Sequence, residues 1–222
     1  MIQMRSFLCY NSNSLRKVVF FMKKVITISR ECGSGGHTIG EKIAKDLGIP
    51  IYDREIIEMT AKESGLTTEF VKESNERITN SILFNIANSM TYANHVFSSG
   101  TVSMVDKVFF IQCDIIKKLA ADGPCVIVGR CADYILKERQ DTLNVFIHAD
   151  REYRIDRYAK LNELSIKEAE SIVKKKDKSR QNYYRYYTDR EWGDMRNYAI
   201  TLDSKTVGID NCVKIIEDVY KL

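Results

Sequence analysis

Three glycines between residues 33 and 36 mark the stretch of this chain whose residue types most clearly predict chemistry. Gly33, Gly35 and Gly36 follow an apolar segment that begins at Val25, and apolar residues at helical spacing follow them as far as Leu47. Glycine allows a tight turn and a close approach of the backbone to a ligand. The N–H groups at the start of the next helix then attract anions. This order predicts a strand, a phosphate-binding loop and a helix.

The loop departs from the pattern G-x-x-x-x-G-K-[ST], in which the lysine reaches the terminal phosphates and the hydroxyl holds magnesium. Arg30 stands at the place of the first glycine, Gly36 stands at the place of the lysine, and His37 takes the next place. The loop shape and the hydroxyl of Thr38 are kept, but the cation is missing. We therefore favour phosphate binding over the alternative, a glycine turn without a ligand.

Composition and length predict one domain. The chain has 222 residues, of which 44% are hydrophobic, and its net charge is +4; this is enough for one core and short for two. So small a charge does not by itself predict a nucleic-acid or membrane partner. Six cysteines without a C-x-x-C pair are typical of a reduced, cytoplasmic protein. We expect a loosely ordered extension over residues 1–21, too short for a membrane helix, and a single domain over 22–222.

Five short apolar segments predict the strands that must position these residues. They cover residues 25–28, 49–53, 125–128, 143–148 and 198–202, and helical patterns alternate with them. A continuous apolar strand such as 125–128 is typical of parallel sheets that are covered on both faces. Because right-handed crossovers place helices on both faces, the pattern predicts an α/β fold with a three-layer α/β/α architecture and a five-stranded parallel sheet.

Charged residues follow two of these strands. Ligands of open α/β sheets bind at the carboxyl ends of the strands, which places Asp53 and Arg54 beside a substrate. Arg130 follows the third strand and is suited to hold an anionic group through two hydrogen bonds. The alternatives are structural: Asp53 as the N-cap of the next helix, and Arg130 in a salt bridge.

A basic segment lies between the fourth and fifth strands. Arg154 and Arg157 follow Arg151 at three-residue spacing, and the next helix carries Arg180 and five more cations against Asp177 alone. Such a segment suits a phosphoryl-transfer lid, whose arginines stabilise the transferred charge on closure. RNA or membrane-surface binding, with four interleaved tyrosines, is the less favoured alternative because the patch is short. Those tyrosines, Tyr183, Tyr184, Tyr186 and Tyr187, can also be the packing face of a helix end.

At this point the sequence resembles a known family. The opening VITISRECGSGGHTIGEKIAKDLGIPIYD is similar to that of bacterial cytidylate kinases, and S-R-E-x-G-S-G-G resembles the lysine-less loop of the cytidylate kinase-like group. The similarity returns in VIVGRCADYIL, LNVFIHADREYRIDRY and ITLDSKTVGIDNCVKII, and it spans 22–222 apart from a divergent middle. It implies a P-loop nucleoside monophosphate kinase-like fold with two mobile helical insertions, at about 54–100 on the acceptor side and about 151–196 as the basic lid.

The resemblance also implies a function and a set of site residues. The expected reaction transfers the γ-phosphoryl group of ATP, with Mg²⁺, to CMP, dCMP or another small acceptor. The expected nucleotide-binding residues are Arg30, Gly33, Ser34, Gly35, Gly36, His37 and Thr38, and Thr38 is also the expected Mg²⁺ ligand. The expected acceptor-binding residues are Asp53, Arg54, Arg130 and Asp177, and the expected catalytic arginines are Arg154, Arg157 and Arg180. Arg30 or a lid arginine would replace the lysine. The alternative function is a nucleotide- or anion-binding regulatory protein that kept the fold and lost the reaction.

Overall fold

A parallel sheet lies at the centre of the protein. The computed structural model describes residues 24–77 and 103–222. Within these ranges the strands are β1 (Val25–Arg30), β2 (Ile51–Tyr52), β3 (Cys125–Val128), β4 (Thr142–His148) and β5 (Ile200–Asp203). They lie in the order β2-β3-β1-β4-β5, and every pairing is parallel. The predicted five-stranded parallel sheet is confirmed.

Helices connect the strands and cover both faces of the sheet. They are α1 (Gly36–Leu47), α2 (Arg54–Ser64), α3 (Thr68–Arg77), α4 (Met104–Asp122), α5 (Ala132–Ile135), α6 (Arg151–Asn162), α7 (Ile166–Thr188), α8 (Ser204–Val207) and α9 (Ile209–Tyr220), with a 3-10 turn at Met195–Asn197. Polar N-caps fix the starts of several: Asp150 accepts a hydrogen bond from the Tyr153 N–H, and Ser165 forms a capping box with Glu168.

Alternation along the central strand explains the three layers. Ile26 and Ile28 are fully buried on the face covered by α1 and α9, where Ile39 and Ile216 pack against them. Val25 points to the other face and belongs to the core cluster that includes residues of α4. Successive side chains of a strand point to opposite faces, so a strand that is apolar at consecutive positions must be covered on both. The predicted α/β/α layering is therefore confirmed.

The position of β1 places the glycine loop at the middle of the sheet edge. β1 pairs with β3 on one side and with β4 on the other. Both ladders continue past the strand ends, because the Gly129 N–H donates to the Ile28 carbonyl and the Glu31 N–H donates to the Ile147 carbonyl. The loop after β1 and the turn after β3 therefore lie side by side at the carboxyl edge, where open α/β sheets bind ligands.

The two predicted insertions are helical where they are described. The acceptor-side segment contains α2 and α3, and its remainder from residue 78 to 102 lies outside the described residues, as does the extension predicted for 1–21. The basic segment forms the hairpin of α6 and α7. The mobility of both insertions stays a prediction. Across residues 24–77 and 103–222, no helix combines the length and apolar character needed to cross a bilayer.

The four tyrosines of the basic segment pack inside the protein at the end of α7. Tyr183 and Tyr184 are buried beside Phe109 of α4. The ring of Tyr187 stacks on that of Phe109 with 3.6 Å between centroids. These side chains form the packing face of a helix end, which was one of the two interpretations of their pattern.

Candidate active site

The loop between β1 and α1 presents backbone donors to one side. Gly35 is the N-cap of α1, has a left-handed backbone with φ of 87°, and gives the helix no side-chain cap. The first N–H groups of a helix have no partner within it. The i→i−4 bonds of α1 begin with the Ile39 N–H, which donates to the Gly35 carbonyl, so the N–H groups of Gly36, His37 and Thr38 precede the first of these bonds. These three N–H groups suit an anion such as a phosphate.

Close packing explains why the loop uses glycine. A Cβ atom added to Gly33 would lie under 3.0 Å from the backbone carbonyl oxygen of Arg154, and one added to Gly35 would lie as close to the side chain of Ile209. A Cβ atom added to Gly36 would lie 2.5 Å from the Cβ atom of Arg30. The loop is therefore held between β1, α6 and α9, and its shape is fixed by its neighbours.

Arg154 of α6 contacts the backbone of the loop. Only 8% of this residue is exposed. Its Nη1 donates to the Cys32 carbonyl at 3.0 Å and to Asp177 at 2.6 Å. Its Nε donates to the Ala149 carbonyl at 3.0 Å and lies 3.1 Å from Glu31. Its predicted contact with the transferred group stays a prediction, and the geometry favours a positioning role.

Asp177 and Arg180 of α7 fix the basic helix to the same loop. The carboxylate of Asp177 accepts a hydrogen bond of 2.7 Å from the Cys32 N–H. Arg180 donates to the Arg30 carbonyl at 3.2 Å, and its guanidinium lies 3.5 Å from Asp177. The structure therefore brings Asp177 and Arg180 together, and the carboxylate of Asp177 contacts the backbone of the loop.

Arg157 lies at the start of α1. Its Nη2 donates to the Thr38 hydroxyl at 3.2 Å, which places a permanent cation beside the first turn of α1. The predicted Mg²⁺ contact of Thr38 stays a prediction. In the described part of the chain, no group of three or more His, Cys, Asp or Glu side chains could hold a metal ion. Mg²⁺ is commonly held by substrate phosphates and few protein ligands, and this donor set fits only that kind of binding.

A basic cavity of about 450 Å³ lies between the end of β1, the turn after β3 and the helices α3 and α7. Three aromatic residues, Tyr183, Tyr184 and Trp192, form part of its lining. Among the described residues, no carboxylate lines it and six cationic residues do: Arg30, Lys72, Arg130, Lys175, Lys176 and Arg180. The cavity is therefore suited to a ligand with more than one negative charge.

The turn that carries Arg130 has an uncommon backbone. Gly129, Arg130 and Cys131 have φ values of 78°, 59° and 55° in succession. Residues other than glycine adopt this left-handed region at a cost of order 1–3 kcal/mol each, and such residues cluster at functional sites. The turn directs Arg130 into the lining of the cavity, which favours the predicted functional role over a structural salt bridge.

Asp53 and Arg54 take different positions. Asp53 occupies the N-cap position of α2, but its side chain makes no capping hydrogen bond. It lies 3.5 Å from both Arg30 and His37 instead. Arg54 is exposed at the start of α2 and does not line the cavity. Asp53 thus touches the predicted nucleotide-binding residues, and the acceptor roles of Asp53 and Arg54 stay predictions.

Sequence reasoning gave no role to Asp133, which supports the back wall of the cavity. This aspartate is 3% exposed and accepts a 2.6 Å hydrogen bond from the Tyr184 hydroxyl and a longer one from Ser29. Burial raises the pKa of Asp133, while the hydrogen bond from Tyr184 opposes the rise. Ser29 and Tyr184 both line the cavity. The one sequence signal was an aspartate placed shortly after Arg130.

We expect Asp133→Asn to be at least as stable as the wild type at pH 7 and Asp133→Ala to be less stable by about 2 kcal/mol. Asparagine keeps an acceptor for Tyr184 and removes the cost of burying a charge. Because the folded pKa is raised, the wild type loses stability as the pH rises from 3.8 to the raised value. Urea unfolding across this pH range measures the free energy of unfolding of the wild type and of Asp133→Asn. The stability of Asp133→Asn relative to the wild type should increase as the pH rises. Equal losses of stability in Asp133→Asn and Asp133→Ala would contradict the supporting role given to Asp133.

Solved structures of other proteins are similar to this chain to different degrees. A crystal structure of an uncharacterized protein from Eubacterium ventriosum is similar, with 26% identity, 89% of this chain and 98% of that chain covered, and a TM-score of 0.67. Shikimate kinase from Acinetobacter baumannii has 14% identity and a TM-score of 0.47, covering 89% of this chain and 92% of that one. A gluconokinase from Sinorhizobium meliloti has 15% identity and a TM-score of 0.48, covering 90% of this chain and 97% of that one.

The family assignment comes from the sequence itself. A search of curated proteins finds no match. A sequence model of the cytidylate kinase-like family matches residues 25–206, which include the glycine loop, the turn of Arg130 and the basic hairpin. The match covers most of the chain and every element that forms the loop and the cavity. This protein therefore belongs to the cytidylate kinase-like family.

Proposed function

We propose that the protein transfers the γ-phosphoryl group of ATP to a small acceptor that carries a phosphate, with CMP and dCMP as the first candidates. Family membership supports a nucleotide-binding phosphotransferase. The observation that supports this acceptor class is the cavity beside the loop, whose lining, as far as the chain is described, contains six cationic residues and no carboxylate. A phosphomonoester has about two negative charges at pH 7, and arginine binds it through paired hydrogen bonds.

The residues of the site take separate roles in this proposal. The N–H groups of the loop bind the donor phosphates, and Arg157, next to Thr38, stabilises charge on the transferred group. Arg154 and Asp177 keep the loop in place from α6 and α7. Arg130 binds the acceptor. Positioning and charge stabilisation of this kind supply most of the catalysis in phosphoryl transfer.

The chemical step is a substitution at the γ-phosphorus. An acceptor oxygen forms a bond to it, the bond to the oxygen that bridges the β- and γ-phosphorus atoms breaks, and ADP leaves. Mg²⁺, bound with the nucleotide, neutralises charge on the phosphates. The proton of the acceptor passes to solvent or to a phosphate oxygen. The cationic cavity keeps the two anionic substrates together although they repel each other.

ADP release from Mg-ATP tests the proposal, with CMP, dCMP, UMP, AMP and GMP as acceptors and a reaction without acceptor as the blank. We expect acceptor-dependent turnover that falls roughly 100-fold in Arg130→Ala. Alanine keeps a Cβ atom at this left-handed position, so the backbone strain is unchanged. Arg151→Ala is the matched control, since Arg151 is exposed and pairs with Glu170 outside the cavity. ATP binding without turnover for any acceptor would contradict the transferase proposal.

The second candidate function is a regulatory protein that binds a nucleotide without turning it over. The absence of the loop lysine favours it. The acceptor assay separates the two functions. For either one we propose a cytoplasmic location, supported by the five described cysteines, which are all free thiols.

A further inference from the structure

We infer that Arg30 supplies the positive charge that a lysine supplies in the usual phosphate-binding loop, and that Gly36 and Gly129 are glycines because they make room for its side chain. The inference rests on the proposed function, because it concerns the nucleotide that this function requires. It selects one arginine from the several near the loop, and it explains why the place of the lysine holds glycine.

The side chain of Arg30 runs across two glycines. It leaves the end of β1 against Gly36, where an added Cβ atom would lie 2.5 Å from its Cβ and 3.0 Å from its Cγ. Its guanidinium group then lies against Gly129, where an added Cβ atom would come under 3.0 Å from Nη1. The charge therefore reaches the space between the phosphate loop and the end of β3, and Arg30 lines the cavity there.

In the described part of the chain, the charge of Arg30 is balanced by one carboxylate, which it shares with another residue. Its nearest carboxylate is that of Asp53, 3.5 Å away, which His37 shares. Burial, followed by the repulsion of Arg180, lowers the pKa of Arg30 to about 9. Part of the side chain, 18%, remains exposed. A bound anion would both reach this guanidinium and balance its charge.

The other arginines are less suited to this role. Arg154 is buried and makes four polar contacts with the loop and its surroundings. Arg180 donates to a backbone carbonyl and faces Asp177. Arg157 contacts Thr38 and does not line the cavity. Among these four, Arg30 is the one that lines the cavity and packs against Gly36, the residue at the place of the lysine.

The contact between Arg30 and Gly36 permits a reciprocal exchange. Arg30→Gly removes the charge, Gly36→Lys introduces a lysine that collides with Arg30, and the double variant moves the cation to its usual place. Equilibrium binding of ATP and ADP, together with the acceptor assay, is measured for the wild type, the two single variants and the double variant. Thermal unfolding confirms that each is folded. Arg30→Gln keeps the packing on Gly36 without the charge and serves if a glycine variant does not fold.

We expect Arg30→Gly and Arg30→Gln to weaken ATP binding at least tenfold and to lower turnover roughly 100-fold. Gly36→Lys should lose as much, and the double variant should recover at least tenfold over either single change. If the wild type binds ATP and Arg30→Gln binds it equally well, the inference is overturned while the proposed function stands. A folded double variant no better than the single ones also overturns it. A wild type that binds no ATP overturns both.

Discussion

Replacement of Gly33 by alanine is expected to lower the free energy of unfolding by about 3 kcal/mol and to abolish ATP binding. Gly33 has a φ of 82°, and an added Cβ atom would lie under 3.0 Å from the backbone carbonyl oxygen of Arg154. Neither the loop nor the backbone of α6 can move aside alone, because the Arg154 side chain donates to the Cys32 carbonyl. The methyl group must therefore push the loop away from α6 and break this contact.

Gly48→Ala is the matched control for this prediction. Gly48 also has a left-handed backbone, with a φ of 64°, but nothing lies within 4 Å of an added Cβ atom. Gly48→Ala should lower the free energy of unfolding by about 1 kcal/mol, because of backbone strain alone, and should leave ATP binding unchanged. Urea unfolding and equilibrium binding of ATP measure both variants. Equal effects at the two glycines would show that the packing of the loop against α6 has no importance.

Asp177→Ala is expected to lower the free energy of unfolding by about 3 kcal/mol and to reduce turnover by at least tenfold. The change leaves the buried guanidinium of Arg154 with Glu31 as its remaining carboxylate partner. It also removes the acceptor of the Cys32 N–H. Breaking one side of a buried ion pair costs more than the pair contributes, because the remaining charge stays buried with less compensation.

Two further variants separate the buried charge from the lost hydrogen bond. Asp177→Asn removes the charge but keeps an oxygen that can accept from the Cys32 N–H, so it should be more stable than Asp177→Ala. Asp156→Ala removes an exposed carboxylate that pairs with Lys160, so a change of less than about 0.5 kcal/mol is expected. Denaturant unfolding measures all three. An asparagine variant no more stable than Asp177→Ala would contradict the account.

Local patterns in the sequence were sufficient to predict the strands but not their order. The continuous apolar run Cys125–Val128 identifies a strand that is buried on both faces. That β1 lies between β3 and β4 depends on partners about one hundred residues away, such as Cys125 and Thr142 beside Val25. Hydrophobic periodicity contains no information on such pairings. The order therefore became known only from the structure.

The site residues also divide into those that a local pattern predicts and those that depend on contacts distant in sequence. The glycines and Arg130 could be predicted because a motif and a strand end lie next to them in the chain. The contact of Asp177 with the Cys32 N–H joins residues 145 positions apart and has no local signature. Asp133 was missed because a single aspartate in a four-residue helix has no spacing pattern. Three-residue spacing suggested one shared face for Arg154 and Arg157, but not that Arg154 is buried.

The contacts between the loop and α7 have a consequence for synthesis of the protein on the ribosome. Residues 30–36 emerge early, yet the groups that fix their backbone, Asp177 and Arg180, lie 145 and 150 positions later. The apolar strand Val25–Arg30 emerges before both of its neighbours, because β3 ends at residue 128 and β4 ends at residue 148. Contacts so distant in sequence form slowly and leave apolar segments unprotected in the meantime. We therefore expect the glycine loop to take its final shape only after Arg180 has been translated.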